Sequence, residues 1–323
     1  MTAPPAPRHP PAPCSYPSHP SYPLRAAVVG HLEWTTLARV RHLPARGDIV
    51  HADVLWEGPA GGGAVAAVRL AALAGACTFF TALGDDQVAR RSREVLGRLG
   101  VDVVAAVRDR PTRCAVSLVD ASAERTTTTL GARLQPEEED DLPWETLRSC
   151  DTVYFTAGGA GALAKARRAA VLTATGREFT TLATAGVPVD AVVGSADDPA
   201  ERCDPAGLPR PPGLLVVTEG TRGGVFRAPG EPARRYRAVR PPRPVVDCYG
   251  AGDNFAAALA FALGTGSGAA DAVTFAAADA ALCAATRGPY VLPRTPGPTG
   301  PHRSANRGAP CAPPSFSGIS TTH

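Results

Sequence analysis

The sequence predicts an α/β fold in which a doubly wound, mostly parallel sheet is flanked by helices. Short apolar runs alternate with longer alanine-rich segments over roughly 270 residues, as β-strands alternate with helices in such folds. Glycine-rich turns at 61–63 and 250–252 each stand directly before an alanine-rich segment. Ligands of these sheets bind at the carboxyl ends of the strands, so we expect both turns to face the ligand crevice.

The composition argues against several classes of function. The 323 residues include 33 basic and 30 acidic side chains, and the net charge of +3 is too balanced to predict a nucleic-acid surface. No apolar run is long enough to cross a membrane and no signal peptide is visible, so we expect a cytoplasmic protein without a membrane partner. The eight cysteines form no C-x-x-C pair, so neither a zinc site nor a redox motif is predicted.

Proline-rich segments flank the part of the chain that is predicted to fold. Residues 1–22 and 293–323 are rich in proline and lack hydrophobic periodicity. Such segments bury too little apolar surface to offset the entropy of folding, and we predict that both are disordered tails. Residues 23–292 are predicted to form the folded domain.

The N-terminal half of this domain contains the first strands and helices. The apolar run that ends in Gly30 predicts a strand, and a loop is expected at 31–35. Asp86 precedes an arginine-rich amphipathic segment and is predicted to cap that helix. The predicted elements are a strand at 24–30, partly covering strands within 37–57, a helix at 64–73, a strand at 77–83, a helix at 88–99, and a pair of strands at 112–119 and 124–131 rich in β-branched residues.

The C-terminal half continues the alternation. The acidic run at 136–141 is predicted to be the solvated start of a helix. The next predicted elements are a strand at 151–156, a helix at 162–175, strands at 187–194 and 214–217, and helices at 253–263 and 269–286.

The stretch at 244–264 carries the clearest chemical signal. A glycine-bearing turn passes directly into a helix, and the first N–H groups of a helix have no intrahelical partner and attract anions. Gly250 and Gly252 let a phosphate approach the backbone closely. Asp253 would repel that phosphate unless it has a role, and the role that fits is general base toward an acceptor hydroxyl. The N–H groups of Gly250, Ala251, Gly252 and Asp253 would then stabilise the charge on the transferred phosphoryl group.

The run Asp247-Cys-Tyr-Gly-Ala-Gly-Asp253-Asn-Phe resembles the C-terminal signature of the PfkB-type carbohydrate kinases, the ribokinase-like family. That signature normally has Thr or Ser where this chain has Cys248. The resemblance covers residues 24–292 and implies a ribokinase-like kinase domain with a small β-lid, which the Leu-Pro-x-x-Gly-Asp run at 43–48 would lead into. ATP and Mg²⁺ are the implied cofactors, and a need for K⁺ is left open, as is a homodimer formed through the lid.

The resemblance also implies residues for the two ligands. Glu33 and Thr35 occupy the positions where the family has Asn and Asp to bind sugar hydroxyls, and the turn of Gly61, Gly62 and Gly63 would border the same substrate. The Asn that follows this turn in the family is Val65 here. The nucleotide would be bound by a Thr-x-Gly-x-x-Gly run and the C-terminal signature, namely Thr218, Gly220, Gly223, Asp247, Gly250 and Gly252. The family's Asn-x-x-Glu motif is replaced at 194–198, and no residues are predicted for a metal.

The leading hypothesis is therefore an ATP-dependent kinase that phosphorylates a hydroxyl of a sugar or sugar-like molecule, with Asp253 as general base. No Walker Gly-x-x-x-x-Gly-Lys pattern is present in the sequence. A nucleoside kinase is the alternative within the enzyme class, and an apolar patch in the lid would favour it. A catalytically degenerate ribokinase-like protein that binds a metabolite is the non-enzyme alternative, because the family's usual residues are replaced at Thr35, Val65 and Gly194.

Overall fold

A computed structural model of the chain describes residues 24–121, 123 and 125–292. Over these residues two sheets and six α-helices are present, and the predicted α/β fold with a small β-lid is confirmed. The strands are β1 (Ala26–Val29), β2 (Glu33–Arg39), β3 (Asp53–Ala60), β4 (Cys77–Gly84), β5 (Val101–Arg108), β6 (Cys114–Val119), β7 (Arg125–Leu130), β8 (Thr152–Phe155), β9 (Val171–Thr175), β10 (Ala191–Ser195), β11 (Leu214–Thr218), β12 (Gly224–Arg227) and β13 (Arg234–Tyr236). The helices are α1 (Gly61–Ala74), α2 (Gln87–Arg98), α3 (Ala160–Ala166), α4 (Phe179–Ala185), α5 (Ala251–Gly264) and α6 (Ala269–Ala284).

The larger sheet has the strand order β13-β12-β11-β10-β9-β8-β1-β4-β5. Its pairs from β11 to β5 are parallel, and β12 and β13 close one edge in antiparallel pairing. β1 lies inside the sheet with Val29 opposite Phe80 on one side and Phe155 on the other. Strands buried on both faces are apolar throughout, as all four residues of β1 are.

Helices cover both faces of this sheet. Alternate residues of each strand point to opposite faces, so Val28 and Phe79 contribute to one core and Val29 and Phe80 to the other. The first core is filled by small apolar residues of α1, α5 and α6, and the second by residues of α3 and α4. Because α1 and α5 are rich in alanine, they pack closely against the sheet. Both helices begin at the carboxyl edge of the sheet.

The smaller sheet, of order β3-β2-β6-β7, forms the lid. β2 pairs with β3 in antiparallel and with β6 in parallel orientation, and β7 is an edge strand. Its exposed apolar side chains include Val54, Val116 and Leu130. A homodimer through this lid stays a prediction.

Three local predictions were wrong, and the two predicted tails and Glu124 lie outside the described residues. The loop expected at 31–35 contains the start of β2 at Glu33. The acidic run at 136–141 forms turns, in which Asp140 accepts hydrogen bonds from Arg108. The helix expected at 162–175 ends at Ala166, and β9 follows it inside the sheet. Alanine-rich and β-branched residues are contiguous there, so periodicity alone did not separate helix from strand.

A buried ion pair ties α1 to α6. Arg69 Nε donates to Asp279 Oδ2 at 2.7 Å, a second bond joins Arg69 Nη2 to Oδ1, and Nη1 donates to the carbonyl of Val291 at 2.8 Å. Both side chains are almost inaccessible to water. A buried charge is tolerated only while its partner and hydrogen bonds remain.

We expect Arg69→Met to destabilise the fold by about 3–5 kcal/mol, because Asp279 would be left as an uncompensated buried charge. Denaturant unfolding followed by circular dichroism measures this free energy. The control is Arg90→Met, since Arg90 forms only an exposed ion pair with Asp85. The double variant Arg69→Met/Asp279→Leu should regain stability over the single one. Equal unfolding midpoints for Arg69→Met and wild type would contradict the role assigned to the pair.

Candidate active site

A cavity of about 400 Å³ lies between the carboxyl edge of the larger sheet and the lid. Its walls come from the segments that follow β1, β8, β9 and β10, from the N-termini of α1 and α5, and from β2 and β7 of the lid. The carboxyl ends of parallel strands are the usual place for a ligand in this fold class. The lining residues are His31, Glu33, Gly61, Gly62, Arg113, Arg125, Thr127, Thr129, Arg133, Tyr154, Thr156, Thr175, Arg177, Glu201, Tyr249, Gly250 and Asp253.

The N-terminus of α5 opens into this cavity. Gly250 has φ 79°, a left-handed conformation that strains other residues, and a Cβ there would lie 2.6 Å from Pro289 Cβ. Within the described residues, the amides of Gly252 and Asp253 donate no hydrogen bond, whereas the amide of Ala251 donates to the carbonyl of Cys248 at 3.3 Å. Two amides of the predicted phosphoryl-binding turn are therefore available to a ligand.

Asp253 lies in the first turn of α5 and lines the cavity. Burial, aided by the negative charge of Glu201 and opposed by Arg125 and Arg177, raises the pKa of its carboxyl to about 7. A carboxylate with a pKa near neutral pH is poised to accept a proton and to release it again.

The N-terminus of α1 lies beside the same carboxylate. A Cβ at Gly62 would be 3.1 Å from Asp253 Oδ1, so a side chain there would crowd the carboxylate. Gly61 lines the cavity in a left-handed conformation, whereas Gly63 is turned inward, where a Cβ would meet the His31 carbonyl and the Phe79 ring. Two of the three predicted substrate-side glycines are thus at the cavity, and the third permits close packing.

Val65, which stands where the family has Asn, belongs to a small apolar cluster. It is buried with Leu37, Val119 and Tyr249. Its Cγ1 lies 3.2 Å from the place where a Cβ on Gly250 would be. Val65 therefore packs against the turn before α5. An apolar packing contact takes the place of the polar side chain that the family has at this position.

The two predicted hydroxyl ligands of β2 have different surroundings. Glu33 lines the cavity and lies 3.3 Å from Arg113 Nε, and burial raises its pKa while Arg113 and Arg125 oppose the shift. Thr35 is fully buried, lies outside the cavity lining, and shares a hydrogen bond of 3.1 Å with the hydroxyl of Tyr249. Thr35 thus contacts the cavity only through Tyr249.

Of the predicted nucleotide residues, Gly250 lines the cavity, whereas the Thr-x-Gly-x-x-Gly run lies one strand away from it. Thr218 ends β11 opposite Ser195 of β10, and its hydroxyl donates to the carbonyl of Gly194 at 3.2 Å. Gly220 begins a short 3₁₀ segment and Gly223 follows that segment, both with positive φ. These residues share the carboxyl edge of the sheet with the cavity.

Asp247 is buried and holds two backbone segments together. Its Oδ1 accepts from the Tyr249 amide at 3.0 Å and its Oδ2 from the Gly288 amide at 3.1 Å. Burial raises its pKa, and these two hydrogen bonds oppose the increase. In this structure, therefore, Asp247 anchors the turn before α5 to the segment after α6.

Sequence reasoning missed most of the charged residues of the cavity. Glu201 and four arginines line it, and they come from segments far apart in the chain: Arg113, Arg125, Arg133 and Arg177. One signal was available, since Arg125, Thr127 and Thr129 alternate along β7 and so share one face. The others follow strands whose neighbours in the sheet could not be known.

The carboxylates that replace the family's Asn-x-x-Glu motif are engaged in ion pairs. Asp197 pairs with Arg222, and Asp198 pairs with Arg177 and caps the next 3₁₀ turn by accepting from the Ala200 amide. Glu201 also accepts from Arg177, at 2.8 Å, while facing the cavity. No group of three or more His, Cys, Asp or Glu side chains within the described part of the chain could by itself hold a metal.

Buried polar atoms without partners border the cavity. His31 Nδ1 and Thr156 Oγ1 find no hydrogen-bond partner among the described residues, and Arg113 Nε has only its ion-pair contact with Glu33 at 3.3 Å. Burial and the nearby charges of Arg133, Arg113 and Arg177 lower the pKa of His31 to about 3, so this imidazole is neutral at physiological pH. Buried polar atoms are normally satisfied, and their position at a cavity wall indicates a polar ligand.

Comparison with known proteins agrees with this architecture. The sequence model of the pfkB family of carbohydrate kinases matches residues 24–204 and 189–295. No curated protein sequence matches the chain. No helix in the described segments is long and apolar enough to span a membrane.

Solved structures with the same fold include two ribokinases and an adenosine kinase. The ribokinase from Thermotoga maritima is 21% identical to this chain, with a TM-score of 0.65, and the match covers 83% of this chain and 95% of the ribokinase. The Arabidopsis thaliana ribokinase complexed with ribose and ATP is 20% identical with a TM-score of 0.63, covering 83% and 94%. The adenosine kinase from Sinorhizobium meliloti is 19% identical with a TM-score of 0.66, covering 84% and 97%.

We expect Asp253→Asn to be more stable than wild type at pH 8, with a difference that shrinks as the pH falls. The folded state raises the pKa of Asp253 from 3.8 to about 7, so ionisation costs stability increasingly between pH 4 and pH 7. The variant avoids that cost, because its amide does not ionise. Thermal melts of both proteins from pH 4 to pH 9 measure the difference in stability.

The matched control is Asp271→Asn, an exposed carboxylate in the first turn of α6. It should show no growing difference across that range. A wild type that is as stable as Asp253→Asn at every pH would mean that the Asp253 carboxyl is not desolvated.

Proposed function

Because the chain belongs to the pfkB carbohydrate kinase family, we propose that it transfers the terminal phosphoryl group of ATP to a hydroxyl of a sugar or sugar-like molecule bound in the cavity. The observation that carries the proposal is the placement of Asp253, a carboxyl with a pKa of about 7, in the cavity wall beside two unpaired amides. Membership of a kinase family supports phosphoryl transfer, and the acceptor hydroxyl and the role of Asp253 are inferred from the site.

In the proposed reaction, the acceptor hydroxyl gives its proton to the Asp253 carboxylate as its oxygen attacks the γ-phosphorus. The bond between the γ-phosphorus and the β,γ-bridging oxygen breaks, and ADP leaves. The amides of Gly252 and Asp253 stabilise the charge on the transferred group. The left-handed backbone of Gly250 permits the tight turn from which these amides follow.

ATP as the donor is supported by the ATP complex of the Arabidopsis ribokinase, a protein of the same fold. We place the nucleotide beside Thr218, Gly220 and Gly223, since these residues lie at the carboxyl edge on the β11 side of the cavity. Bound magnesium would neutralise phosphate charge. Glu201, which pairs with Arg177 at 2.8 Å, is the cavity carboxylate that would hold it, because it follows β10 next to the proposed nucleotide position after β11.

The alternatives from the sequence receive less support. Apart from glycines and the rings of Tyr154 and Tyr249, the described lining of the cavity is polar or charged, whereas a nucleoside base would call for a larger apolar wall. A protein that only binds a metabolite has no use for a carboxyl whose pKa is raised to neutrality beside unpaired amides. A sugar or sugar-like acceptor therefore fits the cavity better than either.

We expect Asp253→Asn to lower kcat by about 10²–10⁴-fold, since an amide cannot accept the proton. The dissociation constant of ATP should change little, because the amides at the start of α5 remain. Steady-state ADP release and calorimetry with ATP measure the two quantities. Asp271→Asn serves as control, and near-normal turnover by Asp253→Asn would reject the assigned base.

We also expect kcat/KM to fall below pH 7 as a single group, the Asp253 carboxylate, becomes protonated. The active form of a general base is the carboxylate, and the pKa of about 7 means that half of it is protonated at neutral pH. His31 should add no second step above pH 5, because its pKa lies near 3. A pH–rate profile tests this, and a midpoint near pH 4 would contradict a desolvated base.

A further inference from the structure

Four guanidinium groups line one small cavity. Arg113 precedes β6, Arg125 begins β7, Arg133 follows β7, and Arg177 follows β9. Neutral sugars are recognised through hydroxyl groups, for which one or two charged partners suffice. Guanidinium groups match the geometry of phosphate and carboxylate oxygens, to which they donate two parallel hydrogen bonds.

Three of the four are held in place from the protein side. Arg133 Nη1 donates to Glu178 at 2.8 Å, Arg177 Nη2 binds Asp198 and Glu201, and Arg113 Nε approaches Glu33 at 3.3 Å. Each of these arginines keeps a terminal nitrogen that donates to no acceptor within the described residues. The carboxylates therefore orient the guanidinium groups without using all of their donors.

Arg125 differs from the other three. It forms no ion pair with a described residue, and its guanidinium lies over the ring of Tyr249 at 5.6 Å from the centroid. Its neighbours along the same face of β7 are Thr127 and Thr129, which also line the cavity. This strand of the lid thus presents a positive charge that pairs with no described carboxylate, followed by the hydroxyl of Thr127, which shares a hydrogen bond with Ser117 at 2.8 Å, and by that of Thr129.

Contacts place two of these arginines on different parts of the cavity wall. Arg113 contacts Glu33, and the side chains of Glu33 and His31 both lie beside Gly61 at the start of α1. Arg125 lies over the ring of Tyr249, which precedes Gly250 at the start of α5. Arg133 lines the same cavity, so an acceptor whose hydroxyl faces Asp253 there has Arg113 and Arg133 available for an anionic group.

We propose that the acceptor is an anionic sugar derivative, whose phosphate or carboxylate group is bound by Arg133 and Arg113 while its hydroxyl faces Asp253. This inference rests on the proposed function for the identity of the reaction. The recognition of a negative charge depends only on the arginines and can be measured without turnover.

The first test compares acceptors that differ in charge. Pentoses and hexoses are supplied as neutral sugars, as phosphate esters and as the corresponding sugar acids, with ATP and Mg²⁺. We expect kcat/KM for the best anionic acceptor to exceed that for the best neutral one by about 10²-fold or more, since charge-assisted hydrogen bonds are the strong ones. Comparing the phosphate esters with the sugar acids shows whether the site prefers a phosphate or a carboxylate group.

Binding to the ATP-free protein, followed by thermal shift, separates the two proposals. If no acceptor is phosphorylated but the anionic compounds stabilise the protein more than the neutral ones, the kinase proposal fails and the anion site stands. If the best acceptor is neutral, or if neutral and anionic compounds stabilise the protein equally, the anion site is rejected.

The second test removes single donors. Arg133→Gln should raise KM for the anionic acceptor by about 10²-fold, mostly sparing kcat and the dissociation constant of ATP, and should change KM for neutral sugars only a few-fold. Because this change leaves Glu178 unpaired, Arg133→Lys, which keeps the charge but loses the second donor, is measured beside it and should show a smaller selective loss.

The control is Arg168→Gln, since Arg168 pairs with Glu145 outside the cavity. It should leave both classes of acceptor unchanged. If both Arg133 variants lose binding of neutral and anionic compounds equally, Arg133 has only a structural role and the proposed anion site is overturned.

Discussion

The turn that precedes α5 is held by hydrogen bonds from both of its sides. Asp247 accepts from the Tyr249 and Gly288 amides, and Asn254 Nδ2 donates to the carbonyls of Gly250 and Pro289 at 2.8 Å each. Together they join the start of α5 to the segment that follows α6. This arrangement forces Gly250 into its left-handed conformation and leaves the next amides pointing out of the helix. Without it, Asp253 would not stand at the cavity wall.

The same constraint extends into α1 and the lid. Val65 of α1 packs beneath Gly250, and Gly62 leaves space beside the Asp253 carboxylate. Tyr249, the residue before Gly250, bonds to Thr35 of β2 and lies under Arg125 of β7. The turn is thus packed between two helices and the lid, so the position of the carboxylate depends on contacts from every part of the domain.

Burial gives that carboxylate its chemistry. In water an aspartate is too weak a base to take a proton from a hydroxyl and too rarely protonated to return it, whereas desolvation and the charge of Glu201 move the pKa of Asp253 to neutrality. Arg125 and Arg177 limit the shift. The acidic and basic residues of the cavity therefore act on one another.

The alternation of strands and helices, the glycine turns and the Asp253 signature were determined by the sequence alone, because each depends on residues close together in the chain. Periodicity and glycine positions are local properties, and they predicted the fold, the helix after 253 and the cap at Asp86. They failed at β9, where alanine-rich and β-branched residues adjoin. Only the tertiary structure decided that Thr35 is buried, that Val65 supports a turn, and that arginines from 113, 125, 133 and 177 share one cavity. Those facts depend on strand order and burial, which bring distant segments together and which no local pattern encodes.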